Sequence, residues 1–278
     1  MTRHNASFML SAEHYKLEVQ MKQFNAWVFD LDDTLMSNVH DYAHPILDAC
    51  GLIIDTLGDA APHVSAIIAL EQEVDQKRVK ETSPVTGKPY GYSMERFPTS
   101  LVEVYRQICR CAGKQPENGV EKELMRIGLE AFDPDRYRKD LYSDTMPTLT
   151  YLQKRGDRIF LLTKGDKRVQ GNKLSILDAG KRFARVEVVD DKTPGVFSEI
   201  VKGFEDHRLF SVGNDYEKDI VPAFEAGYHC GVWIPVETWE VIGRLDEIRT
   251  KIDWTRCVEL HSLRELIERY DEIVGGGE

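Results

Sequence analysis

The chain has 278 residues, of which 42% are hydrophobic and 30% are charged, a composition that excludes a wholly disordered or collagen-like protein. Lys and Arg number 36 against 47 Asp and Glu, so the formal charge is −11 and we expect no nucleic acid or membrane partner. The stretch from Met1 to Gln20 lacks the apolar core of a signal peptide, and the five cysteines are too scattered for a disulfide framework. We therefore expect a cytoplasmic globular protein with reduced thiols.

The first half of the chain changes from a strand pattern to a helical one. Residues 1–23 have a weak pattern and are interpreted as an amino-terminal extension. Residues 26–29 form a short apolar run that ends in acids, which is typical of a buried parallel strand. Residues 40–136 have helical periodicity, and Ser100-x-x-Glu103 has the form of a capping box that predicts the start of one helix.

After residue 140 the pattern alternates between strands and helices. Strands are predicted at residues 158–162, 185–189, 208–212 and 230–234, which indicates a parallel sheet with right-handed crossovers. We predict an α/β protein with a Rossmann-like parallel sheet core, residues 1–39 and 137–278, and an inserted α-helical cap domain, residues 40–136. A cap inserted after the first strand would lie over the carboxyl edge of the sheet and act as a lid.

Polar clusters follow four of these strands, at residues 30–34, 163–165, 190–192 and 213–219. Because the carboxyl ends of parallel strands meet at one edge, we expect these clusters to converge. The carboxylates of Asp30, Asp32, Asp215 and Asp219 would repel one another without a cation, and an all-oxygen set favours Mg²⁺. A carboxylate beside Mg²⁺ stays ionised and can attack phosphorus.

These motifs resemble those of the haloacid dehalogenase (HAD) superfamily. The matching pieces are Asp30-x-Asp32-x-Thr34, Thr163, Lys192 and Gly213-Asn214-Asp215-x-x-x-Asp219, within about residues 24–39 and 140–235. The resemblance implies a Mg²⁺-dependent phosphatase that hydrolyses a small phosphorylated metabolite through an aspartyl-phosphate. It also implies that Asp30 is the nucleophile and that Asp32 is the general acid and then the general base.

The same resemblance assigns the remaining site residues. Catalytic roles would extend to Thr163 and Lys192, and phosphate binding to Leu31, Thr163, Lys164 and Lys192. The metal would be held among Asp30, the backbone carbonyl of Asp32, Asn214, Asp215 and Asp219. The superfamily often has an Asp where this chain has Asn214, so Asp215 is the stronger ligand candidate.

Several alternatives stay open at this stage. The same core could serve a 2-haloacid dehalogenase or a phosphomutase, or a non-catalytic protein that binds phosphate, although Asp32 favours phosphate chemistry because it serves a leaving oxygen. Tyr90, Tyr92 and Arg96 are candidate substrate contacts, but a surface loop without such contacts explains them as well. Other lysines rank below Lys192, namely Lys167, Lys173 and Lys181.

Overall fold

The fold is built on one parallel sheet. The computed structural model describes residues 24–238 and 241–276, so the predicted extension over residues 1–23 lies outside the described residues. Within the described part, the strands are β1 (Asn25–Phe29), β2 (Arg158–Lys164), β3 (Val186–Val189), β4 (Arg208–Gly213), β5 (Cys230–Trp233) and β6 (Cys257–Glu259). Their order is β3-β2-β1-β4-β5-β6, and all neighbours pair in parallel. The predicted α/β class is confirmed, while the three-residue β6 is too short to produce a sequence pattern.

Helices surround this sheet and also form a long insertion between β1 and β2. The inserted helices are α1 (Ala43–Leu57), α2 (Val64–Arg78), α3 (Arg96–Cys111), α4 (Asn118–Leu129) and α5 (Tyr137–Asp140). The others are α6 (Thr145–Arg155), α7 (Lys167–Ile176), α8 (Ala179–Arg182), α9 (Pro194–Ile200), α10 (Val221–Glu225), α11 (Leu245–Arg249), α12 (Leu263–Glu268) and α13 (Tyr270–Gly275). A π-helical turn, Tyr216–Ile220, precedes α10. We refer to residues 39–140 as the helical insert.

The start of α3 differs from the prediction. The helix begins at Arg96, so Ser100 lies inside it and does not cap it. The Ser100 side chain is fully buried, and its hydroxyl donates a hydrogen bond to Asp75 Oδ1 on α2 at 3.0 Å. The capping-box prediction is wrong because Ser100 lies inside α3, where its hydroxyl contacts Asp75 on α2 and also the carbonyl of Arg96, one turn earlier in α3, at 2.9 Å.

Both ends of the helical insert meet the core at one place. Met36 and Leu141 form an isolated antiparallel bridge, and the Ser37 amide donates to the carbonyl of Asp140 at 2.7 Å. The hydroxyl of Thr145 donates to the carbonyl of Leu35 at 2.5 Å. The insert therefore leaves and rejoins the core just beyond the carboxyl end of β1, beside the first polar cluster.

The central strand β1 is buried along its whole length. Trp27 stacks on Phe210 of β4 with ring centroids 4.2 Å apart, and its indole nitrogen donates to Asp157 Oδ2 at 2.8 Å. Burial on both faces explains why this strand reads as a continuous apolar run. Among the described helices, none has the length and apolar character needed to cross a membrane.

Gly128 gives a direct test of packing within the helical insert. A Cβ at Gly128 on α4 would lie 2.5 Å from Pro98 Cα on α3, a backbone atom that cannot move aside alone. We expect Gly128→Ala to lower the free energy of unfolding by about 1–3 kcal/mol through overpacking. Urea denaturation followed by circular dichroism measures this change.

Gly119 supplies the matched control on the same helix. A Cβ there would meet nothing within 4 Å, so Gly119→Ala should leave stability unchanged or raise it by up to about 1 kcal/mol. Equal losses in the two variants would contradict the close approach of α3 and α4.

Candidate active site

A cavity of about 450 Å³ lies between the carboxyl edge of the sheet and the helical insert. It brings together residues from all four predicted clusters with residues of the insert. Its lining includes Asp30, Asp32, Lys164, Lys192, Asn214, Asp215 and Asp219 from the core, and Glu71, Tyr92 and Arg96 from the insert. Strand topology thus places side chains that are distant in sequence around one space, where they can act on the same ligand.

The centre of the site is an ion triad of Lys192 with two aspartates. Lys192 Nζ donates to Asp30 Oδ1 at 2.5 Å and to Asp219 Oδ1 at 2.6 Å, and all three side chains are buried. The Thr34 hydroxyl lies 3.2 Å from Asp30 Oδ2 and 3.5 Å from Asn214 Oδ1. These contacts join the segments that follow β1, β3 and β4.

Burial dominates the electrostatics of this triad. It raises the pKa of Asp30 to about 7, an effect that Lys192 reduces and the neighbouring Asp219 increases. Burial alone would lower the pKa of Lys192, but the carboxylates of Asp219 and Asp30 outweigh it and raise that pKa above its ordinary value. Lys192 therefore stays an ammonium, while Asp30 is incompletely compensated and would gain from a second cation.

The segment after β4 is shaped around Asp215 and Asp219. Asp215 Oδ1 accepts a hydrogen bond from the backbone amide of Lys218 at 3.1 Å. The backbone amide of Asp215 donates to Asp219 Oδ2 at 3.0 Å. Asp215 Oδ2 also pairs with Lys218 Nζ at 3.0 Å. A Cβ at Gly213 would lie 2.3 Å from Asp219 Oδ2, so glycine is needed for the carboxylate to approach the strand end. Asp215 is thus a helix cap that also faces the cavity.

The oxygen atoms around Asp30 form a donor set suited to Mg²⁺. Asp30, Asn214 and Asp215 line one cavity, and Thr34 bridges the first two. No group of three or more His, Cys, Asp or Glu side chains within residues 24–238 and 241–276 is arranged to hold a metal. Mg²⁺ needs no such group, because it usually keeps several waters and binds through one or two carboxylates. The residues present therefore fit a magnesium ion.

The predicted phosphate-binding residues differ in their placement. Lys164 lines the cavity, and its ammonium pairs with Asp191 at 2.7 Å. The buried Thr163 hydroxyl has no hydrogen-bond partner among the described residues, and Thr163 lies outside the cavity lining. The side chain of Leu31 is fully buried, so only its backbone amide can serve a ligand.

Lys173, which the sequence analysis ranks below Lys192, contacts Asp32 and lies outside the cavity lining. Its ammonium donates to Asp32 Oδ1 at 2.8 Å and to Asn38 Oδ1 at 2.7 Å, and it lies 3.8 Å from Asp41 Oδ2. Gln170, one helical turn earlier on α7, donates to Asp32 Oδ2 at 2.7 Å. The signal in the sequence was the i, i+3 pair of long polar residues just after the second cluster.

Charge balance explains why Lys173 tolerates a position where only 1% of its side chain is exposed. Burial would lower the pKa of Lys173, but Asp32 and Asp41 outweigh it and raise that pKa above its ordinary value. Burial raises the pKa of Asp41 to about 7, with Lys173 opposing the shift and Asp140 adding to it. Lys173 is thus a permanent cation that holds Asp32 and the start of the helical insert together.

The structure places the three candidate substrate contacts of the insert in different positions. Tyr92 and Arg96 line the cavity, but Tyr90 does not and packs near Arg78, whose guanidinium carbon is 5.6 Å from the Tyr90 ring centroid. Gly91 has a φ of 53°, a left-handed turn that sends the two tyrosines to different places. Arg96 Nε pairs with Asp75 Oδ1 at 3.1 Å.

Glu71 is a residue of the cavity that the sequence analysis did not identify. It lies on α2, lines the cavity and is 5% exposed. Burial raises the pKa of Glu71 to about 8, and the neighbouring Asp75 adds to the shift while Arg96 opposes it. No motif surrounds it, so only the packing of the insert identifies it.

Solved structures with the same fold belong to HAD-like hydrolases. A haloacid dehalogenase-like family hydrolase from Xanthomonas campestris is similar at 18% identity and TM-score 0.62, covering 92% of this chain and 98% of that one. A HAD phosphatase from Thermococcus onnurineus has 17% identity and TM-score 0.53, with 91% and 99% covered. YfnB from Bacillus subtilis, a candidate HAD-hydrolase bound to magnesium, has 16% identity and TM-score 0.50, with 91% and 99% covered.

These similarities establish the class of fold. The chain has the α/β fold of the HAD-like hydrolases, and the match covers 91–92% of this chain and 98–99% of each of the three solved structures. Neither the scan against protein-family models nor the search of curated proteins found a match.

Mutation of Lys173 tests whether its buried contacts with Asp32 and Asp41 stabilise the fold. Lys173→Met would leave Asp32 and Asp41 without their shared cation, and we expect the free energy of unfolding to fall by about 3 kcal/mol or more. Adding Asp41→Asn should restore part of this loss because it removes one buried uncompensated carboxylate. Urea denaturation of both variants measures the coupling.

Lys167 on the same helix is the control. Its side chain is exposed, so Lys167→Met should change stability by no more than about 0.5 kcal/mol. Similar losses at both lysines, or no recovery in the double variant, would show that the buried network does not stabilise the fold.

Proposed function

We propose that this protein is a Mg²⁺-dependent phosphatase that hydrolyses a small phosphomonoester through an aspartyl-phosphate intermediate. The observation that carries the proposal is the buried Asp30, which contacts Lys192 and shares a cavity with Asp32, Asn214 and Asp215. The fold shared with HAD-like hydrolases, a phosphatase among them, supports the hydrolase class.

In the first step a carboxylate oxygen of Asp30 attacks phosphorus. A bond forms between Asp30 and phosphorus while the bond from phosphorus to the ester oxygen breaks, and Asp32 donates a proton to that leaving oxygen. In the second step water attacks the phosphorus and Asp32 takes its proton. Inorganic phosphate then leaves and the Asp30 carboxylate is restored.

Cationic and polar groups in and beside the cavity would support this transfer. Lys192 is already in contact with Asp30 and would neutralise charge on the phosphoryl oxygens. The unpartnered hydroxyl of Thr163 and the backbone amides of Leu31 and Lys164 would bind those oxygens. Asp30, the carbonyl of Asp32, Asp215 and Asn214 would hold Mg²⁺, and the bound ion would supply positive charge that neutralises the phosphoryl oxygens.

The position of Asp32 favours phosphate chemistry over dehalogenation. Release of a halide needs no proton donor, whereas release of an alkoxide does. Gln170 and Lys173 hold both carboxylate oxygens of Asp32, a degree of orientation that suits a proton-transfer group. Release of halide from a 2-haloacid in the absence of Mg²⁺ would instead support a dehalogenase.

Two further elements belong to the same proposal. The helical insert acts as a cap, because it supplies one side of the cavity and joins the core only beside the first cluster. The protein is cytoplasmic, in keeping with described cysteines that are all free thiols.

Asp30→Asn tests the nucleophile. The amide cannot form the acyl phosphate, so we expect hydrolysis of p-nitrophenyl phosphate with Mg²⁺ to fall by about a thousandfold or more. Asp48→Asn, on the exposed face of α1, is the control and should retain the wild-type rate. Equal rates in Asp30→Asn and wild type would refute the assignment.

Asp32→Asn separates the two steps of the reaction. An aryl leaving group needs little protonation, but attack by water still needs a base, so turnover should fall by about a hundredfold or more. A phosphoryl adduct on Asp30 should accumulate and be detected by mass spectrometry after acid quench. Unchanged turnover without an adduct would exclude Asp32 from proton transfer.

A further inference from the structure

The insert side of the cavity contains a carboxyl group that the proposed chemistry does not use. Glu71 is only 5% exposed, faces the cavity, and forms no hydrogen bond or ion pair with any described residue. A buried carboxyl group without a partner is costly, because it has lost its contacts with water and gained none in return. A ligand group that binds Glu71 would remove this cost.

The charges around the cavity indicate the sign of that ligand group. Besides His40, four Lys and Arg side chains of the described residues line the cavity, and each of the four pairs with a carboxylate at 3.1 Å or less: Lys192 with Asp30 and Asp219, Lys164 with Asp191, Lys218 with Asp215, and Arg96 with Asp75. Glu71 has no such cation within the described part of the chain. The positive charge that would stabilise the ionised form of Glu71 would therefore have to come from the ligand.

Aromatic rings on the insert side favour the same kind of ligand. Tyr42 and Phe97 line the cavity and pack edge to face with ring centroids 4.9 Å apart. Tyr92 already has Arg96 and Lys164 within 5.2 Å of its ring centroid. Aromatic faces beside a carboxylate attract an ammonium group and give an anion no comparable contact.

We propose that Glu71 binds an ammonium group of the substrate, and that the substrate class is the phosphomonoester of a small amino alcohol. This inference rests on the proposed phosphatase function. The phosphoryl group lies against Asp30 and Lys192, and the amino end of the leaving group reaches Glu71 across the cavity. A carboxylate in that place would meet Glu71 and Asp75 and be repelled.

The test compares leaving groups that differ only in terminal charge. Short ω-aminoalkyl phosphates are assayed with Mg²⁺ beside the ω-hydroxyalkyl and ω-carboxyalkyl phosphates of equal length, and kcat/KM is taken from phosphate release. We expect the amino compound to exceed the carboxy compound by about tenfold or more, with the hydroxy compound between them. p-Nitrophenyl phosphate reports the basic phosphatase reaction.

Glu71→Gln identifies the residue responsible. It removes the negative charge with little change of size, so the ratio of kcat/KM for the amino and hydroxy compounds should fall to near one. This ratio does not depend on the fraction of enzyme that is folded. Glu73→Gln, an exposed position on the same helix, is the matched control and should keep the wild-type ratio.

The outcomes separate the two proposals. Turnover of p-nitrophenyl phosphate with no preference for the amino compound, or a preference that Glu71→Gln leaves intact, overturns the inference while the phosphatase function stands. Absence of turnover for every phosphate tested overturns the function and the inference together. Loss of the amino preference in Glu71→Gln alone supports the assignment.

Discussion

The geometry of the site depends on the buried contact of Lys192 with Asp30 and Asp219. The three side chains come from segments that follow β3, β1 and β4, so the triad joins three loops at one edge of the sheet. Removing one partner from a buried ion pair leaves an uncompensated charge, which costs about 3–5 kcal/mol. The contact that would orient the nucleophile is therefore also one that holds the carboxyl edge of the sheet together.

A second buried lysine links this edge to the helical insert. Lys173 contacts Asp32 in the first cluster and Asn38 and Asp41 at the beginning of the insert. A movement of the insert that shifted Asn38 or Asp41 would therefore also shift Asp32, because the ammonium group of Lys173 contacts all three side chains. The proposed proton-transfer group and the proposed cap thus share a structural support, although they are separate parts of the fold.

The sequence predicted the core well because its signals are local and repeated. Each main strand is a short apolar run followed by polar residues, and sheet topology then brings those residues together, as it does for Asp30, Lys192 and Asp219. The insert was harder to predict because its contacts come from packing between helices. Ser100 has the pattern of a cap but binds Asp75, and Tyr92 lines the cavity whereas Tyr90, two residues earlier, does not. Glu71 carries no motif, and Lys173 is marked only by its i, i+3 spacing from Gln170, so burial in the fold is the main feature that distinguishes them from solvated side chains.

The two buried lysines and Glu71 differ in whether they have a partner of opposite charge, and this difference bears on function. Lys192 and Lys173 each have two carboxylate neighbours, so each ammonium group is paired within the protein itself. Glu71 has no cation in ion-pair contact among the described residues, and Arg96, which opposes the rise of its pKa, is itself paired with Asp75. A buried carboxyl group without a direct partner reduces stability unless something compensates it. Charged groups that already have partners in the free protein serve to fix the site. A carboxyl group that lacks a direct partner and lies beside the proposed reaction centre is suited to bind a ligand. By this reasoning the core would determine the chemistry, and the insert would determine which leaving group is accepted.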